Sequence, residues 1–192
     1  MYKLCKTEQS AVRQRELESS LAAMMLFRRY EEITVSEFCS YAGIPRKTFY
    51  RYFSSKDGAL YALIDHTMLE YENFRDPQTE TKNRYWLRDM ENFYRFWQQQ
   101  KPILDALEMS GLSGVLLERA IDFIGKGTIL QKTQTSDNEF VQREILRFAV
   151  SGIMIMMVNW HHDGYRESPR EMAELTFRML NEPLLPYVQN LI

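Results

Sequence analysis

The chain has 192 residues, 45% hydrophobic and 26% charged, with a net charge of −2. Those values belong to an ordinary globular protein, exclude a disordered or fibrous class, and allow roughly 70% of the unfolded surface to be buried. Eight glycines and six prolines disfavour a β-rich chain built on tight turns, and two cysteines, Cys5 and Cys39, make no disulfide framework.

The N-terminal run Met1-Tyr2-Lys3-Leu4-Cys5-Lys6 is basic but leads into no apolar stretch, so it does not read as a signal peptide. The most apolar stretch, 148–158, is short of the ~20 residues a membrane helix needs. A cytoplasmic chain with no membrane partner is expected. Charge is unevenly spread. Residues 1–56 hold ten Lys/Arg against six Asp/Glu, a net +4, and the remainder carries −6. A basic segment joined to an acidic one suggests that the first meets an anion.

Apolar residues recur at helical spacing almost throughout, which predicts an all-α chain of about nine helices. Leu17, Leu21, Met24 and Met25 mark a first helix over about 10–29. Thr34-Val35-Ser36-Glu37 has the form of a capping box and opens a short second helix, with Val35, Phe38, Cys39 and Ala42 on one face. Cys39 there reads as a small buried apolar residue. Gly43 ends that helix and Pro45 presets the backbone for a third, through Phe53. Ser54-Ser55 caps a fourth helix over about 56–74, and Asp76-Pro77 breaks the chain between head and body.

A fifth helix, 79–99, places Trp86, Met90, Phe93 and Trp97 at spacings of four, three and four. Pro102 starts a sixth, and Gly111 to Gly114 precede a seventh ending near Gln131. The polar run 133–138 is a loop, the eighth helix covers 139–162, and Ser168-Pro169 opens a ninth to Asn181 after Gly164. Pro183 and Pro186 limit the C-terminal remainder to a short tail.

Two short helices over 35–42 and 46–53, joined by a tight turn with glycine, form a helix-turn-helix, whose second helix enters the DNA major groove. Phe49 and Phe53, four apart, share one face and can pack on the preceding helices. Arg46, Lys47, Thr48, Tyr50, Arg51 and Tyr52 fill the other positions, and each can donate to a phosphate or a base edge.

The run Ile33-Thr34-Val35-Ser36-Glu37-Phe38, then Ala42-Gly43-Ile44-Pro45-Arg46-Lys47-Thr48-Phe49-Tyr50-Arg51-Tyr52-Phe53-Ser54-Ser55-Lys56, resembles the DNA-binding signature of the tetracycline-repressor (TetR/AcrR) family. The resemblance covers about residues 10–70. Further on, Trp160, Gly164 and Ser168-Pro169-Arg170-Glu171-Met172-Ala173 look like the end of the penultimate and the start of the last helix of some members. It implies a DNA-binding domain at 1–56 and a helical ligand-binding and dimerisation domain at 57–192. Arg46, Lys47 and Thr48 would meet base edges and nearby phosphates. Tyr50 and Tyr52 would meet phosphates or a thymine methyl, Lys56 a phosphate, and Thr34 would lie near the backbone across the groove. Arg46 is the first candidate for base readout, because arginine bidentate to guanine is the commonest specific contact. Pro45, Lys47 and Arg29 depart from the serine, small residue and glycine common there, so the family's base contacts are not carried over unchanged.

The resemblance further implies a ligand-responsive repressor that binds a near-palindromic operator as a homodimer; a coactivator acting through a protein partner is the alternative. The stretch 148–158 is apolar on all sides and needs cover on both faces. A partner subunit over Phe148, Gly152, Ile155, Met156, Met172, Leu175 and Met179 supplies one cover, and burial within one monomer is the other reading. Trp86, Met90, Phe93 and Trp97, with Phe123, read either as plain core or as the wall of a pocket for a small apolar or aromatic ligand. His161-His162-Asp163 is no metal site, since adjacent helical side chains point about 100° apart. No cofactor, metal ligand set or catalytic constellation is read from the sequence, so no enzyme is expected.

Overall fold

Among the residues that the computed structural model describes (1–74, 82–126 and 139–182), the chain is all-α, with nine helices. They are α1 Glu8–Met25, α2 Val35–Tyr41, α3 Arg46–Tyr52, α4 Lys56–Phe74, α5 Lys82–Gln99, α6 Lys101–Met109, α7 Ser113–Lys126, α8 Glu139–His162 and α9 Pro169–Asn181. The expected break at Asp76-Pro77, the end of the seventh helix near Gln131, the loop 133–138 and the tail from Pro183 lie outside the described residues.

Helix starts and stops obey local chemistry. Thr7 caps α1 by accepting from the Ser10 amide at 3.2 Å. The helix ends at Met25, short of the expected 29, and a 3-10 turn, Tyr30–Glu32, leads into α2. Thr34 and Glu37 close a complete capping box on α2, and Ser168 and Glu171 close another on α9. Gly43 takes φ +62 just after α2, a left-handed conformation that a side chain disfavours. Pro45 stands as the extended N-cap of α3, with φ −64 and ψ 147.

The chain forms two compact units. The first comprises Met1–Glu70 with α6 and α7, and the second comprises residues 71–74 with α5, α8 and α9. These units cut across a division at residue 56, because α4, α6 and α7 pack with the N-terminal helices.

In the first unit α1 lies along α6, and Leu17, Leu21 and Met25 are fully buried. The buried Tyr30 amide donates to Ser110 Oγ at 3.0 Å, tying the approach to α2 to the end of α6. The aromatic centre is Phe38 edge-on to Phe49 (5.5 Å) with Phe49 against Phe53 (5.3 Å), as the four-residue spacing predicted. In the second unit α5 packs along α9. Tyr94 is fully buried, its hydroxyl 2.6 Å from Thr176 Oγ1 and its ring edge-on to Trp160. Trp160 in turn donates from Nε1 to the Glu167 carbonyl at 2.9 Å, fixing the turn between α8 and α9.

Phe49 carries α3 into the first unit's core. Phe49→Ala should lower stability by ~3–5 kcal/mol, read as a fall in the midpoint of denaturant unfolding. A loss under ~1 kcal/mol would mean that α3 is not held by this ring.

Candidate nucleic-acid interface

α3 is seven residues long, with Phe49 and Tyr52 buried and Arg46, Lys47, Tyr50 and Arg51 exposed. At 100° per residue those four positions span an arc of roughly 140° on one side of the helix. Thr48 is half-buried at its margin. Arg46, Lys47 and Arg51 have no hydrogen-bond or ion-pair partner among the described residues, whereas Arg13, Arg15, Arg28 and Arg119 each pair with a carboxylate. Three neighbouring cations left without counter-charges form a surface suited to an anion.

Tyr52 departs from its expected place. It is 7% exposed, its ring 6.2 Å from that of Phe53, because positions 49, 52 and 53 fall on the side of α3 that faces the core. Lys56, at the first position of α4, turns back: its Nζ donates to the Tyr30 carbonyl at 2.6 Å and lies 4.2 Å from the centre of that ring. The Tyr30 hydroxyl donates to Asp57 at 2.6 Å; burial first, then this bond, pushes its phenol well above the usual range. Lys56 and Tyr30 therefore lock the start of α4 onto the approach to α2.

Thr34 is exposed at the opposite edge. Its hydroxyl donates to Glu37 Oε2 at 2.7 Å while accepting from the Glu37 amide, and Arg28 holds the other carboxylate oxygen at 2.9 Å. These bonds, those from Thr34 first, pull the exposed Glu37 carboxyl down to about 2.

A further element gave no signal in the sequence. Residues 1–3 run antiparallel to 52–54, with Lys3 N–H donating to the Tyr52 carbonyl at 2.9 Å and Ser54 N–H to the Met1 carbonyl at 3.0 Å.

The expected pocket residues fall in two places. Trp86, Met90, Phe93 and Trp97 belong to the second unit, where Phe93 and Trp97 are buried, Trp86 and Met90 are half-buried, and Tyr71 and Phe96 complete an aromatic cluster. Phe123 belongs to the first, on the wall of a cavity of about 730 Å³ with Tyr2, Leu4, Tyr61, Asp65 and Arg119.

Of the expected dimer residues, Phe148 is 70% exposed, and Gly152, Ile155, Leu175 and Met179 are exposed as well. Met156 is half-buried, its sulfur 3.9 Å from the Thr176 hydroxyl. Met172 is the exception: it is 5% exposed, turned into its own unit on the side of α9 that carries Ala173 and Thr176. The all-round apolar part of α8 divides cleanly. Val150, Met154, Met157 and Trp160 are buried within the unit, and Ile145, Phe148, Gly152 and Ile155 face away.

A capped two-helix motif whose second helix shows unpaired cations, set on an all-α chain, defines a helix-turn-helix DNA-binding protein. Residues 21–63 match the family model of bacterial regulatory proteins of the tetR family, and residues 116–182 match that of a transcriptional regulator C-terminal region. No curated protein matches the chain. Among solved structures, Lin0861 from Listeria innocua is similar with a TM-score of 0.69 at 16% identity, over 93% of this chain and 95% of that one. A tetR-family transcriptional regulator from Streptomyces coelicolor is similar with 0.55 at 20%, over 86% and 78%. The fatty acid degradation regulator FadR from Bacillus halodurans is similar with 0.60 at 12%, over 94% and 98%. At such identities the structures speak to the fold alone. The chain belongs to the TetR family of DNA-binding transcriptional regulators, and it is not an enzyme. No helix among the described residues is long and apolar enough to cross a membrane.

The capping box has a titration signature. The folded value of Glu37 lies below the ordinary 4.5, so its stabilisation is complete above that value and is lost as pH falls toward 2. A carbon-13 titration of the Glu37 carboxyl should find its midpoint near 2; a midpoint near 4.5 would show the box open in solution.

Proposed function

We propose that the chain is a ligand-responsive repressor that binds a near-palindromic operator as a homodimer in the cytoplasm. The observation that carries the DNA reading is the exposed face of α3, where Arg46, Lys47 and Arg51 have no carboxylate partner among the described residues. In this reading α3 enters the major groove, Arg46 and Lys47 reach base edges, Thr48 sits at the margin, and Tyr50 and Arg51 bind phosphate. Thr34 approaches the backbone across the groove. Lys56, spent largely on Tyr30, and Tyr52, buried, take smaller parts than the resemblance implied.

Exposed Ile145, Phe148 and Ile155 on α8 support the homodimer, with Leu175 and Met179 on α9. Apolar side chains recurring at three and four residues along an exposed helix face are costly to leave in water, and a second copy of the same face is a self-complementary cover. Two copies of α3 one helical turn apart would then read an inverted repeat, and a protein seated there blocks transcription by occupancy. Half-buried Trp86 and Met90 beside the aromatic cluster support a small apolar or aromatic ligand. The buried Trp97 Nε1–H, with no acceptor among the described residues, supplies a donor for an oxygen on it.

Fluorescence anisotropy with the duplex upstream of the chain's own gene tests the DNA reading. Affinity should fall steeply as salt rises, and Arg46→Ala/Lys47→Ala should weaken binding by at least about tenfold, as loss of a bidentate base contact implies. Salt-independent binding, or equal binding by the double variant, would move the reading to a coactivator with a protein partner. Sedimentation should give twice the chain mass for the wild type and a single chain mass for Phe148→Asp; a monomeric wild type at micromolar concentration would contradict the dimer.

A further inference from the structure

A two-turn helix leaves its last carbonyls without intrahelical donors, and α3 ends with no glycine cap of its own. The donors come from the other end of the sequence. Lys3 gives its backbone N–H to the Tyr52 carbonyl and its ammonium to the Tyr50 carbonyl at 3.0 Å, which also sets a cation at the negative end of the helix. Met1 completes the pairing: its carbonyl accepts from both the amide and the hydroxyl of Ser54.

Between them, Tyr2 points away from α3 and is anchored on α4. Its ring stands edge-on to His66 at 5.2 Å, and its hydroxyl donates to Asp65 Oδ2 at 2.8 Å. Arg119 from α7 grips the same carboxylate through Nε at 2.7 Å and through its Nη2. Glu18 of α1 holds His66 Nδ1 at 2.9 Å. Burial first, and then the bond to Asp65, pushes the Tyr2 phenol up to about 12, so it remains a donor at any working pH. Gly58 supplies an independent sign that the arm is built in: a Cβ there would overlap the Met1 carbonyl, with its carbon only 2.9 Å away. The anchor is also open on one side, since Tyr2, Asp65 and Arg119 share the wall of the 730 Å³ cavity.

We infer that residues 1–3 are a strap that caps the C-terminal end of α3 and holds it at its reading angle, with Tyr2 as the positioning residue that anchors the strap to Asp65. The inference rests on α3 being the DNA-reading helix. It makes Lys3 and Tyr2 part of the DNA-binding apparatus although Tyr2 need touch no DNA, and it ties α7, through Arg119 and Asp65, to the recognition helix.

The test compares the whole chain with Tyr2→Phe, Tyr2→Ala and Gly58→Ala, using the duplex bound by the wild type and amide hydrogen exchange of the free proteins. Gly58→Ala is the telling variant, because it deletes no hydrogen-bonding side chain and its added Cβ meets only the Met1 backbone. It should keep the helical content of the wild type, yet bind DNA about tenfold more weakly, the equivalent of losing one charge-assisted hydrogen bond. The Ser54 amide should exchange faster while those of Ile33 and Phe38 do not change. Tyr2→Phe, which keeps the ring against His66, should fall between the wild type and Tyr2→Ala. Wild-type-like DNA affinity and Ser54 exchange in Gly58→Ala and Tyr2→Ala would overturn the strap and leave the DNA reading intact. A wild type that binds no duplex would overturn both.

Discussion

The edge-to-face packing of Phe49 on Phe38 is the contact on which the rest of the head depends. A helix of seven residues has no independent stability in water, because nucleation costs more than two turns of hydrogen bonds return. α3 therefore exists only where its buried side is held, and Phe49, with Phe53 behind it, supplies that hold. Once the ring is seated, the helical period dictates the outcome: positions 46, 47, 50 and 51 face outward and carry three cations and a tyrosine.

Charge then marks this face, because three cations without a carboxylate partner among the described residues gather on one short helix. Many basic side chains elsewhere meet acidic ones at short range, as in Arg28 with Glu37 and Lys101 with Asp105. Such exposed pairs add little stability, but they neutralise the field around them. The α3 cations have no such neighbours among the described residues, so their field extends outward and would draw a polyanion before any specific contact forms. Packing sets the direction of the helix, and the lack of local neutralisation gives that direction a use.

Much of this was legible in the sequence because local chemistry governs it. The capping box at Thr34 and Glu37, the left-handed Gly43, the span 139–162 of α8 and the Ser168-Pro169 start of α9 all arise from side chains within four residues of one another. The features that went astray depended on tertiary packing. Tyr52 reads as part of the polar face by its hydroxyl, but its angular position puts it beside Phe49. Met172 reads as part of a partner-facing surface, yet it shares the inward side of α9 with Ala173 and Thr176. The N-terminal arm had no readable signal, since three residues without periodicity pair with a backbone some fifty positions away. Gly58, in the first turn of α4, is where the Met1 backbone comes close.

The divided surface of α8 bears on the proposed homodimer. One side packs into its own unit and the opposite side shows Ile145, Phe148 and Ile155 to solvent, with no cover among the described residues. In the proposed homodimer a second copy covers that side, and two-fold symmetry becomes part of recognition. Selection of bound duplexes from a random pool by the whole chain tests this account most directly. It predicts enrichment of an inverted repeat whose half-sites lie roughly one helical turn apart, lost when Arg46 and Lys47 are replaced by alanine. A pool that yields no preferred sequence, or the same sequence with and without those two side chains, would contradict it.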